Sequence, residues 1–433
     1  MTVKKGYRIP TTLILAFSLL VSVSAQTPAP PPQPILTPQG LEYVTLESAT
    51  DQFLRKNLTV EAARLGVDVA EAERIGARLR PRPGLTISAE NLRFSGPTPT
   101  GRLYEFGTTV AQPIELGNRK AVRIELAERT VAVSEARLTE VLRRQLFDLK
   151  RTYYESVLAR AILELEKENR DNFEGLLRFN RTRFEEGYIA EGDLIKVRLE
   201  RVKFDFEVAS ATLDFRKAKI RLLELIGDPD FPRAEKIDVR SSFGVPDVKI
   251  DLAQLKQSAL ATRPEVKVAE AEIARAESSL KLERSKAKGE ITPYAGYKRV
   301  GVDNTVAAGV TVPLPFGNRN QSGIARAEAE HRIAQTSLQF ARNRTLADVE
   351  TAYHAYETAR EQIKAYQDGL LKQADESRDI QLAAYQEGAV ELISLIDAQR
   401  TRTEVRANYY RAVFDFYTSI FQLELATGVD IKL

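Results

Sequence analysis

The 433-residue chain has no cysteine, no tryptophan, one methionine and two histidines. Without cysteine there is no disulfide, no thiolate ligand and no usual acceptor for an N-terminal lipid. His331 and His354 lie 23 residues apart on one predicted helix, about 35 Å, so they cannot share an ion within one chain. No nucleophile triad, phosphate-binding glycine loop or cofactor motif is present. We therefore expect no enzyme, no cofactor and no metal site.

Long hydrophobic runs are also scarce, because no stretch beyond the N-terminus has 18 uninterrupted apolar residues. The N-terminal run from Leu13 to Val23 follows three basic residues and precedes small residues at positions 23–25. This pattern predicts a secretory signal peptide over residues 1–25, with an uncleaved anchor as the alternative. The proline-rich stretch that follows predicts an extended leader over residues 26–44.

Neither sign of charge dominates the chain. It has 63 Lys and Arg against 60 Asp and Glu, and residues 1–25 contain three of the basic residues and no acidic one. The predicted mature chain is therefore close to neutral. Because nucleic-acid binding calls for a basic face, we expect no nucleic-acid partner.

The most informative pattern is an internal repeat with an offset of about 200 residues. Leu116-Gly117-Asn118-Arg119 returns as Phe316-Gly317-Asn318-Arg319, and Leu194-Ile195 returns as Leu395-Ile396. This predicts a first structural repeat over residues 45–227 and a second over 251–427. A connector (228–250) lies between them, and a tail (428–433) follows.

Each repeat has the same predicted order of elements. An opening helix (about 46–79 or 252–286) precedes two strands, about 85–93 and 104–113 in the first repeat and about 291–300 and 305–313 in the second. A long helix (118 to about 184, or 318 to about 385) follows, about 100 Å in length. A glycine turn and a returning helix of about 55 Å complete the unit. The opening and returning helices, stacked end to end, would equal the long helix.

The returning helices have apolar residues at alternating steps of four and three, which is typical of coiled coils. A second apolar line, Leu199, Phe206, Leu213 and Ile220, lies on another face of the first returning helix. Two apolar lines predict two neighbouring helices, as in the wall of a tube. The four short strands cannot close a barrel alone, and bacterial barrels need at least eight. If they span a membrane, three copies would form a 12-stranded barrel.

The duplicated order, with Gly-Asn-Arg at the strand exits and Gly followed by Leu-Ile at the turns, resembles the TolC family of outer-membrane efflux proteins. Within it, the chain is most similar to the CzcC-type heavy-metal efflux branch. The resemblance implies a mainly α fold with a small β part, forming a homotrimer with a transmembrane β-barrel in outer-membrane lipid and an α-helical periplasmic barrel. It also implies a periplasmic adaptor protein and an inner-membrane RND-type pump as partners, in heavy-metal resistance.

The resemblance also implies site residues at the helical turns, where family members narrow the periplasmic entrance with aspartates. Asp397 matches one of these aspartates, and Ser394 stands at the other. The candidate entrance residues are Asp193, Asp397, Glu191 and Glu391, against the alternative of ordinary exposed polar residues. Gly187 and Gly388 are candidate adaptor-docking turns.

Arg201 and Arg402 occupy equivalent positions in the apolar seams of the two returning helices. A charge in a seam costs stability unless it is paired, so we expect each arginine to tie neighbouring helices together near the entrance. The alternative is that each extends its guanidinium to the surface.

Three other functions remain open from sequence. The channel could export organic molecules or proteins instead of metal ions. A periplasmic coiled-coil adaptor or scaffold is a different class, disfavoured because this chain has two hairpins and few strands. A periplasmic enzyme is disfavoured by the missing catalytic groups.

Overall fold

The computed structural model describes residues 35–36, 40–92, 95–97, 99, 102, 104–239, 244–248, 250–314 and 316–431. The expected signal peptide and most of the leader lie outside the described residues, as do Arg93, part of the first hairpin loop and the end of the tail. Residues 36–433 form one compact unit. No helix among the described residues is long and apolar enough to cross a membrane.

The protein is mainly helical with a small β part. The helices are α1 (Leu46–Lys56), α2 (Leu58–Arg78), α3 (Arg119–Glu185), α4 (Glu191–Leu225), α5 (Leu252–Thr262), α6 (Pro264–Lys286), α7 (Gln321–Ala365), α8 (Leu371–Gln386) and α9 (Leu392–Thr427). The strands are β1 (Ile35–Leu36), β2 (Glu42–Val44), β3 (Gly84–Glu90), β4 (Glu105–Ala111), β5 (Ile114–Glu115), β6 (Ile237–Val239), β7 (Glu290–Val300) and β8 (Asp303–Thr311). A 3₁₀ turn spans Phe231–Glu235.

The prediction of one continuous opening helix in each repeat is wrong. In the first repeat Asn57 interrupts the helix and caps α2, because its side-chain oxygen accepts from the Val60 amide at 2.9 Å. In the second repeat the break precedes Pro264, which lacks an amide donor and begins α6. The predicted leader and connector also contain paired strands, since β2 runs parallel to β6.

The returning helices stack end to end on α2 and α6, as their lengths led us to expect. Asn57 Nδ2 donates to the carbonyl of Leu225 at 2.8 Å, which joins the end of α4 to the start of α2. Thr262 Oγ1 donates to the carbonyl of Thr427 at 2.5 Å, which joins the end of α9 to the end of α5, two residues before α6 begins. Each repeat therefore contains one composite rod.

The two long helices differ. α3 is continuous over 67 residues, but the prediction of a continuous second helix is wrong. The second helix begins at Gln321, and π-helical hydrogen bonding over Tyr366–Leu370 separates α7 from α8. Gly369 leaves the helical region there, with φ 166° and ψ −26°. We call this segment the π turn.

The rods have a defined order, because α3 packs on α2, α4, α6 and α9, whereas α7 packs on α6 and α9 and α8 packs on α9. The sequence of neighbours is therefore α2–α4, α3, α6–α9, α7–α8. This order leaves α2–α4 at one edge and α7–α8 at the other. The hydrophobic core at mid-length joins both repeats and includes Phe53, Tyr153, Leu222, Phe416 and Phe421.

The main sheet has the strand order β3–β4–β7–β8, all antiparallel. Its edges, β3 and β8, belong to the same sides as the two edge rods. Cross-strand partners such as Leu85, Val110, Ala295 and Ala308 share one face. That face is exposed and mainly apolar, although it also carries Thr108 and Arg299. Its exposed apolar members are Leu85, Ile87, Phe106, Val110, Val306 and Val310. The opposite face has small or polar residues, among them Thr86, Ser88, Gly107, Thr109, Gly296 and Thr305.

Candidate entrance and inter-helix contacts

The two helical turns have the same backbone geometry. After α3, the Tyr188 amide donates to the Arg183 carbonyl at 2.7 Å and Gly187 has a φ of 81°. After α8, Ala389 donates to Ala384 at 2.8 Å and Gly388 has a φ of 78°. This is the Schellman termination, which favours glycine because of the positive φ. Both glycines were predicted from sequence as turn residues.

A small apolar cluster holds the two hairpin ends together. Phe173 and Leu176 of α3 pack with Tyr385 of α8 and with Leu395 and Ile396 of α9. The ends of both hairpins therefore lie side by side within one chain. The cluster therefore fixes where the acidic residues of one turn lie relative to those of the other turn.

Asp193 and Glu391 line one groove between α4 and the second turn, with a volume of about 900 Å³. Asp193 Oδ1 lies 3.0 Å from Lys196 Nζ, which also lines the groove. Glu391 is exposed and occupies the N-cap position of α9, where its side chain makes no capping hydrogen bond. The carboxylate of Asp193 is therefore partly neutralised by its own helix.

Asp397 and Glu191 are exposed and do not line this groove. Among the described residues, no basic side chain lies within 4.0 Å of the Asp397 carboxylate, so its charge is uncompensated at short range. Lys196 stands at the position in the first repeat that matches Asp397, at an offset of 201. The structure thus brings together two of the four acidic candidates.

Arg402 is 2% exposed and contacts carboxylates from two other helices. Its Nε lies 2.7 Å from Asp375 of α8, and its Nη2 lies 2.6 Å from Glu168 of α3. Arg406 binds the other oxygen of Asp375 at 2.8 Å. Burial alone would raise the pKa of Asp375, but hydrogen bonds from Arg406 and Arg402 outweigh it and hold the pKa below its ordinary value. Arg402 therefore links three helices.

Arg201 has a weaker set of contacts. Its side chain is 32% exposed and lies 2.9 Å from Glu174 of α3 and 2.6 Å from Asp205 of α4. Both partners belong to its own hairpin, so Arg201 links two helices where Arg402 links three. Position 205 corresponds to Arg406 in the second repeat, so the two networks differ in charge.

Sequence reasoning missed the buried amides beside Arg402. Gln399 Nε2 donates to Asn169 Oδ1 at 2.9 Å, and Tyr385 Oη donates to Asn180 Oδ1 at 2.5 Å. Asn169, Asn180 and Gln399 are all buried. In the sequence, each of these three is a polar residue at a helix position where apolar residues otherwise recur.

No cluster of three or more potential metal ligands occurs among the described residues. His354 is 68% exposed and lies 3.3 Å from Glu357 on its own helix. The two histidines do not meet, because both belong to α7.

The fold is that of solved outer-membrane channels. The CmeC outer membrane channel of Campylobacter jejuni has a TM-score of 0.77 at 16% identity, over 89% of this chain and 86% of that chain. A sequence model of the outer membrane efflux protein family matches residues 49–228 and 255–429. The chain therefore belongs to the outer membrane efflux protein family and is an outer-membrane protein.

Two characterised relatives extend this result. The cobalt-zinc-cadmium resistance protein CzcC of Cupriavidus metallidurans is 25% identical over 403 residues, 91% of this chain and 92% of CzcC. The nickel and cobalt resistance protein CnrC of the same organism is 28% identical over 313 residues, 71% of this chain and 69% of CnrC. The family resemblance seen in the sequence is confirmed.

Proposed function

We propose that the chain is the outer-membrane channel subunit of a tripartite efflux system and works as a homotrimer. Three copies would form a 12-stranded barrel continued by 12 helical rods through the periplasm. The observation that carries this proposal is that rods and strands are open on the same two sides, with α2–α4 and β3 on one and α7–α8 and β8 on the other. Further copies would satisfy all these edges at once.

The two faces of the sheet support a membrane barrel. One face exposes large apolar side chains and the other has small or polar residues. In a closed barrel the first would contact lipid and the second would line the water-filled interior. A soluble sheet would bury its apolar face in the protein instead.

The named relatives favour divalent heavy-metal cations as the cargo. The channel itself would conduct passively, with energy from an inner-membrane RND-type pump and with a periplasmic adaptor docked near Gly187 and Gly388. Asp397 would form a threefold carboxylate ring at the entrance that attracts cations. Asp193, Glu191 and Glu391 would add negative charge nearby.

Arg402 and Arg201 would hold the entrance closed by linking neighbouring rods. The first has the stronger case, because its two carboxylate partners lie on different helices from its own. Export would require cleavage of the signal peptide after Ala25 and leave the leader at the mature N-terminus.

Mass measurement of the purified protein tests the assembly. We expect the mature protein to require detergent for extraction from outer membranes and to have three times the chain mass after correction for bound detergent. The same sample should form conducting pores in a planar lipid bilayer. A soluble monomer in the absence of detergent would contradict the proposal.

A control separates assembly from cargo. Deleting the gene should sensitise cells to divalent metal salts, and the wild-type gene should restore resistance. The protein could assemble correctly as a trimer while deletion of its gene changes sensitivity only to organic toxicants. That outcome would leave the channel proposal standing and refute the metal cargo.

A further inference from the structure

The apolar face of the sheet ends in one charged residue. Side chains alternate between the two faces of a strand, so β7 presents on this face Ile291, Pro293, Ala295, Tyr297 and Arg299. Among the described residues of the four main strands, Arg299 is the only charged residue on that face. An arginine on the lipid side of a barrel is costly at the middle of the bilayer and tolerated near its surface. The depth of Arg299 therefore decides whether it fits the proposed barrel.

That depth corresponds to the outer surface of the membrane. From Ile291 to Arg299 the strand extends about 27 Å, and a tilt of about 40° reduces this to about 21 Å, against an apolar band of about 25 Å. Tyr297 and Phe106 are 44% and 40% exposed and lie next to Arg299 on the same face. Aromatic residues mark the edge of the apolar band in such barrels. Because the helices lie at the opposite end of the strands, Arg299 would lie in the outer leaflet.

The charges at the hairpin ends are divided between the two faces of the sheet. The last row of cross-strand partners consists of Glu90, Glu105, Val300 and Asp303. This row belongs to the face with small or polar residues, which would line the water-filled interior. Glu105 pairs there with Lys298. The carboxylates of the sheet therefore point away from the lipid side and do not neutralise Arg299.

Two contacts hold the Arg299 side chain. Its Nε donates to the carbonyl of Gly301 at 3.3 Å, and its guanidinium carbon lies 5.9 Å from the centre of the Tyr104 ring. Among the described residues, no carboxylate lies within 4.0 Å of its guanidinium nitrogens. The two terminal nitrogens of an arginine can bind one phosphate through two parallel hydrogen bonds. In Arg299 both are free of partners within the described part of the chain.

A second arginine lies on the adjacent hairpin loop. The Gly301 amide donates to the Tyr104 carbonyl at 2.8 Å, and a Cβ at Gly301 would lie 2.7 Å from the carbonyl oxygen of Arg102. The two loops therefore touch at Gly301, and Arg102 is exposed beside it. The first loop, residues 91–104, contains no Asp or Glu.

We propose that Arg299 and Arg102 bind the phosphate headgroup of a lipid in the outer leaflet, at one site in each copy. This rests on the proposed membrane barrel and goes beyond it by assigning a lipid site to named residues. A phosphate headgroup supplies the negative charge that the outward face and the first loop lack. Phe106 and Tyr297 lie beside Arg299 on the side of the membrane interior, where they would contact the acyl chains. This apolar contact favours a lipid over free phosphate.

Native mass spectrometry of the detergent-solubilised protein tests the site, with lipid A as the probe. Lipid A with both phosphates should bind about tenfold more tightly than the same lipid without phosphate, the gain expected from a charge-assisted hydrogen bond. Arg299→Gln should reduce this preference to about threefold or less, and Arg102→Gln in addition should abolish it. Inorganic phosphate added at constant ionic strength should not displace the lipid.

Two further variants serve as controls. Arg319→Gln removes an exposed arginine at the helical end of the sheet and should keep the full preference for phosphate. Arg299→Lys keeps the charge but loses the two-pronged geometry, so its preference should lie between those of the wild type and Arg299→Gln. If Arg299→Gln does not assemble, Arg299→Lys and Arg102→Gln still test the site.

The outcomes separate the lipid site from the proposed function. A trimer that binds lipid A equally with and without phosphate, or loses the preference equally in Arg319→Gln, overturns the site and leaves the channel proposal standing. Displacement of lipid A by inorganic phosphate overturns the lipid as the occupant. A soluble monomer without detergent overturns the proposed channel and the lipid site together.

Discussion

The two repeats share one plan but differ in their long helices. From Gly117 to Gly187 the chain advances 70 residues, whereas from Gly317 to Gly388 it advances 71. α3 is continuous, and the second long helix contains the π turn. Hydrogen bonds in a π turn span one residue more than those of an α-helix. The π turn therefore accommodates the additional residue, and the turn at Gly388 keeps the geometry of the turn at Gly187.

The difference shows how a helix can absorb an insertion without losing its packing face. An extra residue in a regular α-helix rotates everything beyond it by about 100°. The second repeat avoids this rotation, since Tyr385 still reaches Asn180 and Leu395 still packs in the end cluster. The π turn preserves the register between repeats.

Deleting Gly369 should remove the difference between the two long helices and leave the protein assembled. The deletion would convert the π turn to α-helix and make the second long helix equivalent to α3. Deleting Lys167, an exposed residue at the matching level of α3, should rotate Asn169, Phe173 and Asn180 out of the contact between α3 and α8–α9. We expect the second deletion to abolish the trimer in native mass measurements.

Circular dichroism supplies the control, because both deletion variants should retain helix if they fold at all. Loss of the trimer in the Gly369 deletion, with retention in the Lys167 deletion, would refute the link between the π turn and the extra residue.

The plan of the molecule was accessible from sequence, but its exceptions were not. Heptad spacing, the glycine turns and the repeat predicted the returning helices because these patterns are local. The break at Asn57 was missed because its cap and its contact with Leu225 depend on a partner 168 residues away. The π turn was missed because it shows only as a change of one residue in the offset between repeats.

The two seam arginines show the same limit of prediction from sequence. Arg201 and Arg402 look identical in their heptads, yet only Arg402 is fully buried. Its partner Glu168 lies 234 residues away in sequence. Gly369, the residue of the second repeat that matches Glu168, has no side chain that could pair with an arginine. Burial and pairing across repeats therefore depend on tertiary packing, which no local pattern encodes.

Replacing Arg402 with Leu should destabilise the protein far more than replacing Arg201 with Leu. Removing one partner of a buried pair typically costs about 3–5 kcal/mol. The carboxylates of Asp375 and Glu168 are 33% and 45% exposed, so water would lower the cost to about 2–3 kcal/mol. The Arg201 pairs are more exposed and should contribute below about 1 kcal/mol.

Thermal unfolding followed by circular dichroism at fixed detergent and protein concentration compares the two variants. Equal destabilisation would refute the distinction between the two arginines. Assembled Arg402→Leu trimers should also conduct more than wild type in a planar bilayer if the tie holds the entrance closed. Wild-type conductance would leave Arg402 with a role in stability alone.

Acid should weaken the same tie. Because the folded pKa of Asp375 lies below its ordinary value, its stabilising contribution is complete above about pH 4, the unfolded value, and is lost as the pH falls through the lower folded pKa. On acidification, the Asp375→Asn variant should therefore lose less stability than the wild type does. An unchanged loss of stability on acidification in this variant would contradict the assignment.

Replacing Asp397 with Asn should reduce cation preference more than replacing Asp193 with Asn, and this is the smallest effect we expect. Asp193 is already paired with Lys196, whereas Asp397 is exposed without such a pair. The interaction energy of a solvent-screened carboxylate with a passing ion is about 1 kcal/mol or less. This energy corresponds to a factor of about five at most in the permeability ratio. Reversal potentials in a salt gradient across a planar bilayer measure this ratio, and low salt should enlarge the difference. Lys196→Gln provides the matched control, because it frees the carboxylate of Asp193 and should raise cation preference. Equal shifts for both aspartate variants, with no change in Lys196→Gln, would contradict the distinction between the paired and the unpaired aspartate.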